Sequence, residues 1–404
     1  MSARADFRLP PLRFLVPFGF FALLILTHLF ASHTSDTYAQ HSRAGYERVK
    51  SVVGLGSDGM PFWRSGDMRE GSGAEWAQRQ KQEELLLAGE GNSTKANAAF
   101  AYLARNSDVW DVVSAMSSLL DRCPKCRQYP WVFLNDVDFD ETFKKHTSSI
   151  ATAPCYYGKV PREHWDVPSW IDEDKAAKAR QQMVDDKVIY GGSVSYQSGF
   201  FYRHELLAPY DYYWRIDPAV QFFCDIDYDP FMLMHEKGAK YGFTVTLYEY
   251  EATIKTLWDT TKEFINANPQ YLAKPNAMDW ISNDKGKTYN RCHFWSNFEI
   301  GSLNFLRSEA YMKYFDHLDK AGGFSYERWG DAPVHSIAAA LFLKPEEIHY
   351  FKDMGYKHNP FLTCPPNAGE KGGPRCSCNP KDENNFYDHW YSCSNQWRKL
   401  YPDS

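Results

Sequence analysis

The chain has 404 residues and carries 45 Lys and Arg against 51 Asp and Glu, a formal net charge of −6. This small acidic excess excludes the basic surface that a nucleic-acid partner requires, and a chain of this length can bury a large core. Aromatic residues make up 16% of it, with 26 Tyr, 27 Phe and 13 Trp; such a composition suits dense packing and also sugar binding, where ring faces cover apolar C–H patches.

In chain order, the first 13 residues hold Arg4, Arg8 and Arg13 against Asp6 alone. Residues 14–31 are apolar apart from Thr27 and His28, a run just long enough to cross a bilayer. The flanking charge keeps the N-terminus cytoplasmic and sends the rest to the lumen. A cleaved signal peptide ending near Ala31-Ser32-His33 is the competing reading, but the apolar run exceeds a usual signal core, which favours a retained anchor. Residues 32–95 are rich in Gly, Ser, Gln and charge, without a sustained strand pattern, and read as a stem with an acceptor sequon at Asn92-Ser93-Thr94.

The catalytic region, 96–404, opens with the apolar run AAFAYLAR, a helix over 108–122 and the strand YPWVFLND ending at Asn135-Asp136. That order predicts an α/β domain with a parallel sheet. Further strands are expected in KVIYGG, YYWRIDP, QFFCDIDY and YGFTVTLYEY, and helices over 172–185, 254–267 and 334–343. Ligands of open α/β sheets collect at the carboxyl ends of strands, which places Arg105-Asn106 and Asn135-Asp136 to meet a nucleotide; ordinary polar loop residues are the alternative.

All nine cysteines follow the apolar run, and in an oxidising compartment they pair, with one left over. Cys123-x-x-Cys126 and Cys376-x-Cys378 could suggest zinc, but no His/Cys set at finger spacing accompanies them, so disulfides are expected. Two acidic groups compete for a divalent cation: Asp217, which ends YYWRI, and the run Asp225, Asp227 and Asp229, which charge count would choose. The stretch YNRCHFWSNFEIGSLNFLRSEAYMKYF, Tyr289 to Phe315, surrounds Glu299 with His293, Trp295, Asn297 and Phe298, a mixture suited to a sugar site. The plain alternative is the start of an amphipathic helix, because Ile300, Leu303, Phe305, Leu306 and Tyr311 roughly follow helical spacing.

Read together with VIYGGSVSY, SGFFYRH, YYWRIDPAVQFFCDIDYDPF, RWGDAPVHSIAA and GYKHNPF, that stretch resembles the fungal Golgi α-1,2-mannosyltransferases, from about Ala98 to the C-terminus. The resemblance implies a single GT-A-like nucleotide-sugar transferase domain with a mixed, largely parallel sheet. It implies retaining transfer of mannose from GDP-mannose, with Mn2+, to a mannosylated acceptor on O- and/or N-linked glycans of mannoproteins. It also implies a single-pass type II protein of the Golgi membrane, catalytic domain lumenal, in possible complexes with other Golgi mannosyltransferases. Residue by residue, Glu299 matches the family's candidate nucleophile, Asp331 a second acid and Tyr196 an active-site tyrosine. Asp217 matches the metal-binding acid, which is usually Glu, and His358 the second metal ligand; His335 is the rival histidine. One departure stands out. Relatives carry about six residues resembling RHMCRF before the SGFFYRH block, whereas here Tyr196 runs directly into Gln197-Ser198-Gly199. The missing piece holds two cations and a cysteine that would make the count ten, and its loss supports an alternative reading as a catalytically impaired lumenal relative that binds donor or glycan.

Overall fold

Ala98–Leu103 (β1) is apolar throughout because it lies inside a sheet, paired in parallel with Trp131–Asn135 (β2) on one side and Tyr212–Ile216 (β4) on the other. In this computed structural model residues 95–185 and 194–402 are described. The chain separates into units 1–72 and 73–404, and every described residue belongs to the second. The anchor expected at 14–31, the sequon, nearly all of the 32–95 stem and the KVIYGG strand lie outside the described residues. No helix among the described residues is long and apolar enough to cross a membrane.

Cys155–Lys159 (β3), Tyr241–Phe243 (β6), Phe298–Ser302 (β9) and Ile348–Tyr350 (β10) complete a seven-stranded sheet in the order β10-β6-β9-β4-β1-β2-β3. Strand β9 runs antiparallel to β4 and β6, and the other neighbours are parallel, so the mixed, mostly parallel α/β sheet is present. Gln221–Phe222 (β5), Tyr356–His358 (β11) and Phe361–Thr363 (β12) form a three-stranded sheet; Thr246–Tyr248 (β7) and Cys292–Phe294 (β8) form a two-stranded antiparallel sheet.

Helix Val109–Arg122 (α1) buries Val109, Val112, Ala115, Met116, Leu119 and Leu120, the spacing of one helical face. It packs beside Glu141–Ile150 (α2), which the side chain of Asp140 caps. Glu173–Asp185 (α3), Leu257–Ala267 (α6) and Asp331–Phe342 (α8) correspond to the three other helices the sequence predicts. Shorter helices Val194–Gly199 (α4) and Pro230–Lys237 (α5) and the longer Glu309–Ala321 (α7) were not foreseen.

The sheet separates two cores, and strand alternation decides which residue faces which. Ala99, Ala101, Val132, Leu134, Tyr213 and Tyr241 face α4 and α8, while Phe100, Trp131, Phe133, Trp214, Phe298 and Ile300 face the core of α1. Two expectations need correction, and one alternative falls. YGFTVTLYEY is two strands in different sheets, because Thr244 between them turns its hydroxyl to the Phe351 carbonyl at 3.0 Å. QFFCDIDY contributes only β5 and an isolated bridge from Cys224 to Cys376. The residues around Glu299 are strand, not helix: Gly301 lets the β9 backbone pass against Tyr213, whose ring would lie 2.5 Å from any Cβ there.

Eight cysteines pair as Cys123–Cys126, Cys224–Cys376, Cys292–Cys393 and Cys364–Cys378, and Cys155 is the free thiol. The sulfurs of Cys224, Cys376 and Cys378 lie together because two disulfides adjoin, so these thiols are spent on bridges and leave no zinc set.

Candidate active site

The parallel strands β1, β2 and β4 end on the same side of the sheet, where Arg105, Asn135-Asp136 and Asp217 follow or close them. Tyr213, Arg215 and Asp217 alternate along β4 and its end, so their side chains share a face. Register places Arg215 opposite Glu299 on β9. The Arg215 guanidinium donates to both Asp217 oxygens, from Nε at 2.8 Å and Nη2 at 3.1 Å, and its Nη1 donates to Asp331. Ser296 adds a hydrogen bond to the same Asp331 oxygen at 2.6 Å. Asp217 is thereby joined to Asp331 through one cation, with side chains only 14–19% exposed. Burial opposes the charge on Asp331, but Arg215, His335 and the hydrogen bonds from Ser296 and Arg215 outweigh it and hold its pKa near about 2.

Glu299 sits deeper. Its carboxylate is fully buried and accepts from the Tyr213 hydroxyl, from Tyr241 at 2.6 Å and from His335 Nδ1 at 2.7 Å. Burial works against its charge, yet the adjacent His335 and the three hydrogen bonds keep its pKa below the ordinary value. Burial also works against the His335 cation, and the Glu299 carboxylate overcomes it and raises that pKa. The two directions agree on an imidazolium–carboxylate pair. His335, the rival histidine, is therefore held against Glu299. Of the aromatic neighbours expected to line a sugar site, Phe298 turns to the opposite core against Trp214 and Tyr356. Trp295 meets His358 and Phe361 edge-on or tilted.

Tyr196, in α4, is fully buried, and its hydroxyl has no hydrogen-bond partner among the described residues. With Tyr102, Gln197, Phe201 and Arg215 it lines a cavity of about 10 Å³, room for about one water and no more. At the ends of β1 and β2, Arg105 is exposed and Asp136 half-buried, while Asn135 is buried with its Nδ2 unpartnered among the described residues. An orphaned buried donor at a strand end is costly unless a ligand or water satisfies it. The Tyr102 hydroxyl donates to the Asp217 carbonyl at 3.1 Å, tying the end of β1 to that of β4.

The two candidate metal groups differ in what already occupies them. Asp225 is bound by Arg122 at 2.8 Å and by Arg375. Asp229 caps α5 and accepts from Tyr129 at 2.6 Å. Asp225 and Asp229 are thus engaged by structure while Asp227 is exposed, and among the described residues no group of three carboxylates or imidazoles is close enough to hold an ion. Asp217 keeps the lone pairs that Arg215 leaves free. His358 ends β11, and Lys357 of that strand pairs with Gln221. Its Nδ1 faces the Asn359 carbonyl at 3.2 Å, so in neutral imidazole that nitrogen carries the proton and Nε2 keeps a lone pair for a metal. An oxygen and an imidazole nitrogen fit Mn2+, provided a diphosphate fills the remaining positions. Ala219, two residues beyond Asp217, adopts φ 61°, a left-handed conformation that costs about 1–2 kcal/mol for a residue with a Cβ and bends the chain away directly after the carboxylate.

Sequence reading missed Arg215, Ser296, Tyr213 and Tyr241. The signal for Arg215 was its place two residues before Asp217 on a strand, which puts both on one face.

Comparison with known proteins gives the family. The family model described as glycolipid 2-alpha-mannosyltransferase matches residues 67–401. Glycolipid 2-alpha-mannosyltransferase 1 of Candida albicans is 46% identical, covering 96% of this chain and 95% of its own. An alpha-1,2 mannosyltransferase of Saccharomyces cerevisiae is 48% identical, covering 76% of this chain and 79% of its own. Among solved structures, core-mannan synthase A of Aspergillus fumigatus in its Mn/GDP form superposes with a TM-score of 0.70 at 42% identity, covering 77% of this chain and 86% of that one. The chain belongs to the glycolipid 2-alpha-mannosyltransferase family.

Proposed function

We propose that the protein transfers mannose from GDP-mannose to a mannoside, with retention, making α-1,2 linkages on O- and/or N-linked glycans of mannoproteins. The observation that carries this reading is the Asp217–Arg215–Asp331 chain at the carboxyl edge of the sheet, in a fold that a relative uses with Mn and GDP. Arg105, Asn135 and Asp136 meet the nucleotide. Asp217 and His358 would hold a divalent cation, which supplies charge to neutralise the departing diphosphate. Arg215 fixes Asp331, and Asp331 with Ser296 takes sugar or acceptor hydroxyls. Glu299, enclosed by three protein donors, stabilises from beneath the positive charge that develops on the sugar. That enclosure favours same-face transfer over a covalent glycosyl-enzyme. The sugar–phosphate bond breaks, the acceptor oxygen bonds the anomeric carbon, and the acceptor proton passes to the departing phosphate. Four disulfides among the described residues and the apolar run at 14–31 support a Golgi-lumenal unit behind a type II anchor.

A catalytically impaired relative is the second reading. It is favoured by a space beside Tyr196 too small for a sugar.

One experiment separates the two. A chain beginning at Thr94 and secreted from an oxidising host should fold without the anchor and transfer mannose from GDP-mannose to methyl α-mannoside only with Mn2+. Asp217→Ala and His358→Ala should each weaken Mn2+-dependent GDP binding by about tenfold or more, the loss expected when a ligand is removed, whereas Asp227→Ala should leave it unchanged. The reverse order in a calorimetric titration would move the metal site to the 225–229 run. An inert wild type that gains activity when RHMCRF is inserted after Tyr196 would establish the impaired reading.

A further inference from the structure

Trp390 and Tyr250 are 81% and 67% exposed, the highest values among the exposed large hydrophobic side chains described. Single exposed hydrophobics are ordinary; these two converge on one place. Trp390 packs edge-on against Tyr391 at 5.4 Å, and Tyr391 does the same against Tyr248 at 5.5 Å. Tyr250 follows two residues after Tyr248, and the Tyr391 hydroxyl lies within electrostatic reach of Tyr250 and Glu249.

The patch is anchored. The Cys292–Cys393 disulfide fastens the 386–394 segment to the two-stranded β7–β8 sheet, and Thr246 bonds the Ser392 and Ser394 hydroxyls at 3.2 and 2.8 Å. A rigid aromatic surface binds without first paying to order itself. The patch also continues into the site. Glu249 follows Tyr248, and its Oε2 is 3.9 Å from where a Cβ on Gly330 would sit, immediately before Asp331. The end of β8 in the same small sheet leads in two residues to Ser296, which bonds Asp331.

We propose that Trp390 and Tyr250 form an accessory platform for the acceptor, engaging α-linked mannose units beyond the one that receives the new sugar. The proposal rests on the mannosyltransferase reading above. Two ring faces suit the apolar C–H patches of pyranose rings, and the interspersed Glu249, Glu251 and Arg291 suit their hydroxyls. A stable protein partner would need roughly 800 Å² on each side, far more than two rings offer, so a short oligosaccharide is the occupant.

The test compares methyl α-mannoside with an α-1,2-linked mannotriose as acceptors for the wild type and Trp390→Ala. The ratio of the KM for mannotriose to that for methyl α-mannoside should rise about tenfold in the variant, a loss typical of one aromatic contact. Tyr250→Ala should move it in the same direction. Trp170→Ala, which removes an exposed indole held by the Asp319 carbonyl, should not move it. A saturation-transfer NMR titration of mannotriose reads affinity without turnover and should show the same loss. An unmoved ratio with active enzyme, or an equal rise for both acceptors, would overturn the platform and leave the mannosyltransferase reading intact. If the wild type transfers nothing yet Trp390→Ala weakens mannotriose binding, the platform survives and the catalytic reading fails.

Discussion

Glu299→Gln is expected to lower turnover by about 10³-fold, the scale of removing one preorganised charge from a water-excluded site, while KM for GDP-mannose stays within about twofold. The structure makes the substitution interpretable. The amide keeps the size of the carboxylate: its oxygen, in place of Oε1, still accepts from Tyr213, and its nitrogen, in place of Oε2, donates to the Tyr241 hydroxyl oxygen. His335 loses the partner that raises its pKa and becomes neutral, and its Nδ1 can then accept from the amide nitrogen. Net charge at the pair is zero before and after, so any change in turnover comes from the lost anion and not from an unbalanced buried cation. If Glu299 is only a packing and hydrogen-bonding residue, turnover should fall by less than about tenfold in a folded protein, and the electrostatic role would be rejected. A pH signature separates the two roles further. His335 has a raised pKa in the folded state, so its contribution to stability is complete below the unfolded value of about 6.5 and is lost as pH rises through the folded value. Glu299→Gln should abolish that alkaline loss of stability, measured by urea denaturation across neutral to alkaline pH.

The central strands and longest helices were legible because their apolar patterns follow from where they lie. Strand β1 is buried on both sides and reads as a continuous run, and α1 shows one apolar face. Strand β9 was not legible. FEIGS is fully buried yet contains a carboxylate and a glycine, and the apolar spacing from Ile300 to Tyr311 runs through a strand into a short helix and then α7. Once β9 is recognised as a strand, alternation alone sends Phe298 and Glu299 to opposite cores. The acidic run at 225–229 misleads for a different reason. Arg122, Arg375 and Tyr129, which occupy it, lie about 100 to 150 residues away in sequence. Arginine partners for Asp217 and Asp331 had the same problem in part: Arg215 is two residues from Asp217 but 116 from Asp331. An odd cysteine count announced one free thiol. Which cysteine it was depended on bridges spanning 152 and 101 residues, which spacing cannot reveal.

Arg215→Met should be the most destabilising change at the site, costing about 3–5 kcal/mol at neutral pH, the range for removing one partner from a buried ion pair. The methionine fills much of the arginine stem's volume, so the loss is electrostatic: Asp217 and Asp331 remain as like charges, each less than one-fifth exposed, with no cation between them. The pH dependence has a definite sign. Asp331 titrates near about 2 in the folded protein, below its ordinary 3.8, so its stabilising contribution is complete above about pH 4 and is lost as pH falls through about 2. That depression survives the cost of burial because of Arg215 first, with His335, Ser296 and the Arg215 hydrogen bond adding to it. Without Arg215 the Asp331 pKa rises and the carboxyl takes a proton at higher pH, which relieves the repulsion the variant suffers. The stability gap between wild type and Arg215→Met should therefore be widest near neutrality and should narrow by up to about 2 kcal/mol between pH 4 and pH 2. Urea denaturation of both proteins at a series of pH values measures it. A gap that stays constant or widens toward acid would mean that Arg215 supports the site through packing, and that Asp331 owes its low pKa to His335 and Ser296 instead.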